Sequence, residues 1–197
     1  MATFTILPNG VTGVNSWQNP GGSACAASNV DADNGDTDYC YENWSLHAVT
    51  FTFPNSYSVA ESAIDTINSV TLKFKANYTN SSGTTMVRSY ILNDGSADTG
   101  VNVHTIASGG YQTYTGPAET TYDGSNSWTY AKLDDIQVKL IKVINTFART
   151  QIRVSYLYVE VDYDEAGYGH HVMGVDKTKI ADVNGVPTTN ISKVNGV

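Results

Sequence analysis

Charge is scarce in this chain. Only 15% of its 197 residues are Asp, Glu, Lys or Arg, against about a quarter in ordinary globular proteins. The 11 Lys and Arg stand against 19 Asp and Glu, a formal net charge of −8. A nucleic-acid binder is expected to show a basic patch, and none is visible, so no nucleic-acid partner is expected. The acidic balance also disfavours anionic membranes. No run approaches the roughly 18 apolar residues of a membrane span. The opening MATFTILPNGVTG has no basic n-region and no apolar h-region. Neither a membrane span nor a signal peptide is therefore expected.

Cysteine is almost as scarce. Cys25 and Cys40 are the two present, too few for a disulfide scaffold and at no zinc spacing. In a reducing cytosol they would be free thiols; after release from a cell a bridge could form. It would clip a loop of about 15 residues, worth ~3 kcal/mol if unstrained. The motifs G-x-S-x-G, H-E-x-x-H and G-x-x-x-x-G-K are missing, and no enzyme is expected. His47, His104, His170 and His171 have no His or Cys partner at zinc spacing beyond adjacency. They are expected on the surface. The sequons at Asn43, Asn77, Asn80 and Asn190 read as chance in a chain rich in Asn, Ser and Thr.

What is abundant is turn and strand chemistry, with 13 Tyr and 17 Gly. Thr3–Leu7 alternates and stops at Pro8-Asn9-Gly10. Gly10 to Asp38 is loop-like. Thr50–Phe53 alternates before Pro54. Ser69–Tyr78 keeps strict period two: Val70, Leu72, Phe74, Ala76 and Tyr78 lie on one face, Thr71, Lys73, Lys75 and Asn77 on the other. Strands are also predicted at Thr85–Asn93, Val101–Ile106, Tyr111–Thr115, Ile136–Ile144 and Gln151–Tyr163. One helical turn is expected around Ala131–Asp134. The apolar residues of Gln151–Tyr163 fall on both faces, which suits a central strand. Strands at this spacing, with no βαβ alternation, imply an all-β fold, an antiparallel β-sandwich of jelly-roll type. The sandwich is expected over residues 1–164, with an extended C-terminal arm over 165–197.

That arm repeats every eleven residues. Val172-Met173-Gly174-Val175 returns as Val183-Asn184-Gly185-Val186 and again as Val194-Asn195-Gly196-Val197; Ile180 returns as Ile191. Gly in each unit and Pro187 rule out a continuous helix. An odd period in one strand would turn successive units to opposite faces, so Asn-Gly turns must reset the register. Such short strands cannot bury themselves. A disordered acidic-polar tail is one reading; the regular Ile and Val placement favours an arm that adds strands to a neighbouring subunit. The assembly residues are then Val172, Gly174, Ile180, Val183, Gly185, Ile191, Val194 and Gly196.

Two ligand chemistries are legible. Asp31, Asp33, Asp36 and Asp38 crowd one loop around Gly35, a pattern akin to calcium loops but without their full spacing. Calcium is the one cofactor considered. Trp17, Trp44 and Trp128, with the many tyrosines, offer a stacking platform for sugars, or else fill the core and subunit contacts.

The segments Ile6–Gly10, Asn29-Val30-Asp31, Asp36–Tyr39, Ile67–Leu72, Trp128-Thr129, Gln137-Val138 and Val159–Tyr163 together resemble tailed-phage and prophage structural proteins. The closing Ile191–Val197, Ile-x-Lys-Val-Asn-Gly-Val, resembles a short repeat at the ends of many phage proteins. The resemblance implies a jelly-roll virion component, such as a capsid decoration, head-fibre, neck or tail subunit. It would assemble in the host cytoplasm with copies of itself and other virion proteins. The alternative is a carbohydrate-binding β-sandwich that recognises host surface glycans, with calcium assisting.

Overall fold

The computed structural model describes residues 1–13, 16–34, 37–43, 46–79, 85–93, 97–143, 151–166, 182–183 and 186–187. The strands are β1 (Ala2–Ile6), β2 (Gly10–Thr12), β3 (Cys40–Glu42), β4 (Ala48–Thr52), β5 (Ile64–Tyr78), β6 (Thr85–Asn93), β7 (Ala97–Ile106), β8 (Gln112–Glu119), β9 (Ile136–Val143), β10 (Ile152–Glu165), β11 (Asp182–Val183) and β12 (Val186–Pro187). A single helical turn, α1 (Tyr130–Leu133), precedes β9.

Two antiparallel five-stranded sheets form the sandwich. The first has the order β1-β10-β5-β8, with β3 also on β10; the second runs β2-β4-β9-β6-β7. From β1 to β10 the chain changes sheet at each connection except the β6–β7 hairpin, which is jelly-roll behaviour. Among the described residues no helix is long and apolar enough to cross a membrane.

Period two builds the core. In β5, Val70, Leu72, Phe74 and Ala76 are buried while Thr71, Lys73, Lys75 and Asn77 are partly exposed. In β10, Leu157, Val159 and Val161 point inward opposite Phe74, Leu72 and Val70. The second sheet answers with Val49, Phe51, Val138 and Leu140. Each such side chain contributes roughly 1.5–3 kcal/mol when taken from water.

β10 lies centrally in its sheet, as its sequence suggests. Its pattern slips once. A register shift between Val154 and Tyr156 makes Ser155 an extra residue, so Val154 and Ser155 are both buried. After the slip, Tyr156 and Tyr158 face out.

Several boundaries differ from the sequence expectation. Gly10–Asp38 is not all loop: β2 pairs with β4, and a 3-10 turn covers Ala27–Asn29. The sequence shows no sign of β3, whose pairing with Ile152–Val154 makes it a strand. These strands are three residues long, so tertiary pairing decides them and not propensity. β8 runs on to Glu119 through Gly116-Pro117, opposite a register shift in β5. Pro117 is tolerated because β8 is an edge strand.

Lys142 is wholly buried on the inner side of β9. Its ammonium donates to the carbonyls of Asn43 at 2.7 Å and Glu42 at 3.4 Å, tying the β3–β4 connection to the second sheet. Cys25 and Cys40 are joined in a disulfide with Cα atoms 5.3 Å apart.

Replacing Leu157, which is fully buried, by Ala is expected to cost about 2–5 kcal/mol. Urea unfolding of the two proteins, with an unchanged slope, checks it.

Candidate functional site: a tyrosine-lined sheet face

The outward face of the first sheet carries a cluster of partly exposed tyrosines. Alternation in β10 sends Tyr156, Tyr158, Glu160 and Asp162 outward. Register places Tyr156 beside Lys75 and Tyr158 beside Lys73. The rings of Tyr156 and Tyr158 lie 4.9 Å apart, tilted by 35°. Lys73 Nζ donates to Glu160 Oε1 at 2.7 Å. On the far side of β5, Thr113 and Thr115 of β8 stand exposed opposite Lys75 and Lys73.

The other half of the face is brought by the segment that the disulfide closes. Between β1, which pairs as far as Val159, and β3, which pairs as far as Val154, the edge of β10 is open. Val30 fills the gap, its carbonyl accepting from the Leu157 amide at 2.8 Å. The chain then carries Asp33 to an ion pair with Lys75. It returns through Tyr39 and Tyr41, which flank the buried Cys40. The Arg153 guanidinium lies 4.6 Å from the Tyr39 ring centre, a cation–π contact. Tyr41, opposite Arg153 in the register, donates its hydroxyl to Gln18 Oε1 at 2.9 Å.

Electrostatically the face is balanced. Lys73 is neutralised by Glu160 and Lys75 by Asp33. Burial pushes the Tyr156 hydroxyl up from its ordinary value; Tyr158 and Asp33 add to the shift and Lys75 opposes it. The hydroxyl is therefore a neutral donor at neutral pH. Half-buried rings flanked by fixed carboxylates, ammonium groups and hydroxyls suit a flat ligand with apolar faces and polar edges.

The sequence candidates are placed as follows. Asp33 reaches Lys75, and Asp38 Oδ1 accepts from Asn29 Nδ2 at 2.6 Å; Asp31 is partly exposed. Asp36 lies outside the described residues. Among the described residues no group of three or more His, Cys, Asp or Glu is placed to hold a metal ion. The tryptophan platform is not formed: Trp17 and Trp128 are buried, at 0% and 4% exposure. Their indoles donate to His47 O at 3.2 Å and Glu119 O at 2.9 Å, which satisfies the polar end of each ring inside the core. Trp44 lies outside the described residues. The tyrosines carry the aromatic face instead.

His104 does not lie on the surface. It is buried, with Nε2 3.0 Å from Ser89 Oγ and its ring edge-on to Phe74. His47 is half-exposed, 3.2 Å from the buried Glu42 carboxylate. His170 and His171 lie outside the described residues. So do Val172, Gly174, Ile180, Gly185, Ile191, Val194 and Gly196 of the arm. Val183 belongs to β11 and pairs with Val186 of β12.

Sequence reading missed Tyr39, Tyr41, Tyr156, Tyr158, Arg153, Lys73 and Lys75 as a set. A signal was present. Tyr39-Cys40-Tyr41, Tyr156-Leu157-Tyr158 and Lys73-Phe74-Lys75 each put like side chains on one side of an extended segment around an apolar residue. A separate cavity of about 240 Å³ lies at the start of β5, lined by Glu61, Asp65, Trp128 and Tyr130 among others.

No family model matches the chain, and no curated protein matches it in sequence. Among solved structures it is similar to the CBM36-1 domain of a multidomain xylanase from the hindgut metagenome of Trinervitermes trinervoides. That match has a TM-score of 0.46 and 11% identity, over 84% of this chain and 100% of the other. It is also similar to the CBM22-1 xylan-binding domain from Paenibacillus barcinonensis Xyn10C, with a TM-score of 0.44 and 8% identity over 82% and 94%. A third is the family 11 carbohydrate-binding module of a Clostridium thermocellum cellulosomal cellulase, with a TM-score of 0.39 and 11% identity over 83% and 87%.

Burial holds the His104 imidazole below its ordinary range. The unfolded chain binds a proton there below about pH 6.5 while the folded chain resists it, so stability falls as pH falls. His104→Asn is expected to flatten the decline in melting temperature as pH falls below about 6.5. Parallel melts of both proteins across that range check it.

Proposed function

We propose that this chain is a non-catalytic carbohydrate-binding β-sandwich that holds a neutral polysaccharide on the outward face of its first sheet. The observation that carries this reading is the joint presence of Tyr156, Tyr158, Tyr39 and Tyr41 with paired charges on one continuous face. A sugar ring presents an apolar face of C–H groups and an edge of hydroxyls. Tyrosine rings match the first. The Glu160 and Asp33 carboxylates, the Lys73 and Lys75 ammonium groups and the hydroxyls of Thr113 and Thr115 match the second. Because each of these lysines already has its carboxylate, an anionic ligand would have to displace one. The net charge of −8 opposes such a ligand as well.

Affinity electrophoresis in gels containing xylan, mixed-linkage β-1,3-1,4-glucan or polygalacturonate tests this. Retardation is expected in a neutral polysaccharide and not in polygalacturonate. Tyr158→Ala should weaken it about tenfold, roughly 1.4 kcal/mol, with the melting temperature little changed. Equal migration of the chain in every gel would sink the proposal.

A second reading, a particle subunit docking through its C-terminal arm, has one observation in its favour. β11 and β12 pair antiparallel, Val183 opposite Val186, on either side of Asn184-Gly185. The repeating unit thus contains paired strands. If the arm assembles copies, Val183→Asp together with Val194→Asp in the full chain should lower the mass seen by light scattering. An unchanged mass would count against the arm.

A further inference from the structure

We propose that the tyrosine-lined face is completed by oxidation, the Cys25–Cys40 disulfide converting half a binding surface into a whole one. This rests on the carbohydrate-binding reading of that face. Tyr156, Tyr158, Lys73 and Lys75 stand on β5 and β10, whose long mutual register holds them without help. Tyr41 is held likewise, by the pairing of β3 with β10 and by backbone bonds to Gln18, but Asp33 and Tyr39 are not. These two belong to the segment that the disulfide closes, whose regular structure among the described residues is one turn of 3-10 helix before β3 begins at Cys40.

Among the described residues of Ala26–Thr37 most backbone hydrogen bonds are local turns: Asn29 to Ala26, Val30 to Ala27, Asn34 to Ala32 and Thr37 to Asn34. Among the described residues, the backbone bond that ties this stretch to the sheet is Leu157 N–H to Val30 O. Two side-chain contacts then place the functional groups, Asp33 on Lys75 and Tyr39 under Arg153. The disulfide pins both ends of the stretch at once. Cys25 is bonded through its amide to Trp17 O, and Cys40 opens β3. Without it, the buried Val30 with its one backbone hydrogen bond still anchors the middle of the stretch, but Asp33 and Tyr39 on either side are left to the Asn29–Asp38 hydrogen bond and two half-exposed contacts.

The chemistry balances with a small-molecule disulfide as oxidant. One cysteine, as its thiolate, attacks RSSR and releases RSH, forming a mixed disulfide. The second thiol attacks that protein sulfur, forms the Cys25–Cys40 bond and releases a second RSH. Two electrons and two protons pass from the cysteine pair to RSSR. Once formed the bond is sheltered, since Cys25 is 4% and Cys40 0% exposed. An incoming thiolate needs the segment to open first. The face is therefore incomplete in a reducing cytosol and becomes lasting in an oxidising space.

The experiment compares the full-length oxidised chain with the Cys25→Ser/Cys40→Ser double variant and with wild type refolded in a dithiol. The readouts are affinity electrophoresis in xylan and in mixed-linkage β-1,3-1,4-glucan, and amide hydrogen exchange. Retardation is expected to fall about tenfold in both reduced forms, with exchange protection lost between Val30 and Tyr39 and kept in β5 and β10. Equal retardation and equal protection in all forms would overturn the oxidation proposal and leave the carbohydrate reading standing. If no form is retarded, the carbohydrate reading falls, and the exchange data still decide whether the bridge holds the segment. Loss of protection throughout β5 and β10 would also overturn the proposal, because the bridge would then hold the fold and not the face. The dithiol-refolded wild type serves if the serine variant fails to fold.

Discussion

The long antiparallel pairing of β10 with β5 is the constraint on which the rest of the molecule depends. It runs from Ile152 against Tyr78 to Glu165 against Ile64. It sets Leu157, Val159 and Val161 inward against the second sheet, and by the same alternation it sets Tyr156, Tyr158 and Glu160 outward. Core and tyrosine-lined face are two sides of one register. A slip of one residue would exchange them, burying tyrosine hydroxyls and lysines and exposing the aliphatic row. The bulge at Ser155 matters for the same reason. It shifts phase once, so that Arg153 before it and Tyr156 after it share a face despite their odd separation.

Around that register the sandwich solves a problem of edges. β10 has β5 along one side, but its other side is shared by β1, the single carbonyl of Val30, and β3. A strand edge left unpaired in this gap would be a site for unwanted pairing. Here an irregular segment fills it, and because the segment is irregular its side chains need not alternate. Asp33 and Tyr39 therefore reach over the sheet face. The buried Lys142 does comparable work on the other sheet. Its ammonium satisfies two carbonyls that leave β3, which removes the cost of orphaned polar groups in the core.

Much of the strand order was legible because alternation is written into neighbouring residues. Ser69–Tyr78 reads as a half-buried strand from its side chains alone, and Gln151–Tyr163 as a central strand with apolar residues on both faces. Less legible were β2 and β3, whose partners lie far along the chain. The tryptophans were weighed as a sugar platform, yet the indoles of Trp17 and Trp128 find carbonyl acceptors inside, so burying them costs little. His104 was expected at the surface, but Ser89, across the β6–β7 hairpin, meets its ring nitrogen in the interior.

By itself the sequence determined the class of fold, because period-two patterning and turn residues act locally and each strand declares its own faces. It also determined which tyrosines and lysines would share a side of a strand. It did not determine that Tyr39-Cys40-Tyr41 would lie against Arg153 or that Asp33 would meet Lys75. Those pairs are separated by 114 and 42 positions, and only the register of β3 on β10, the carbonyl of Val30 and the Cys25–Cys40 bond bring them together. Contacts over such separations depend on how sheets stack and where edges are open, and no local pattern encodes that.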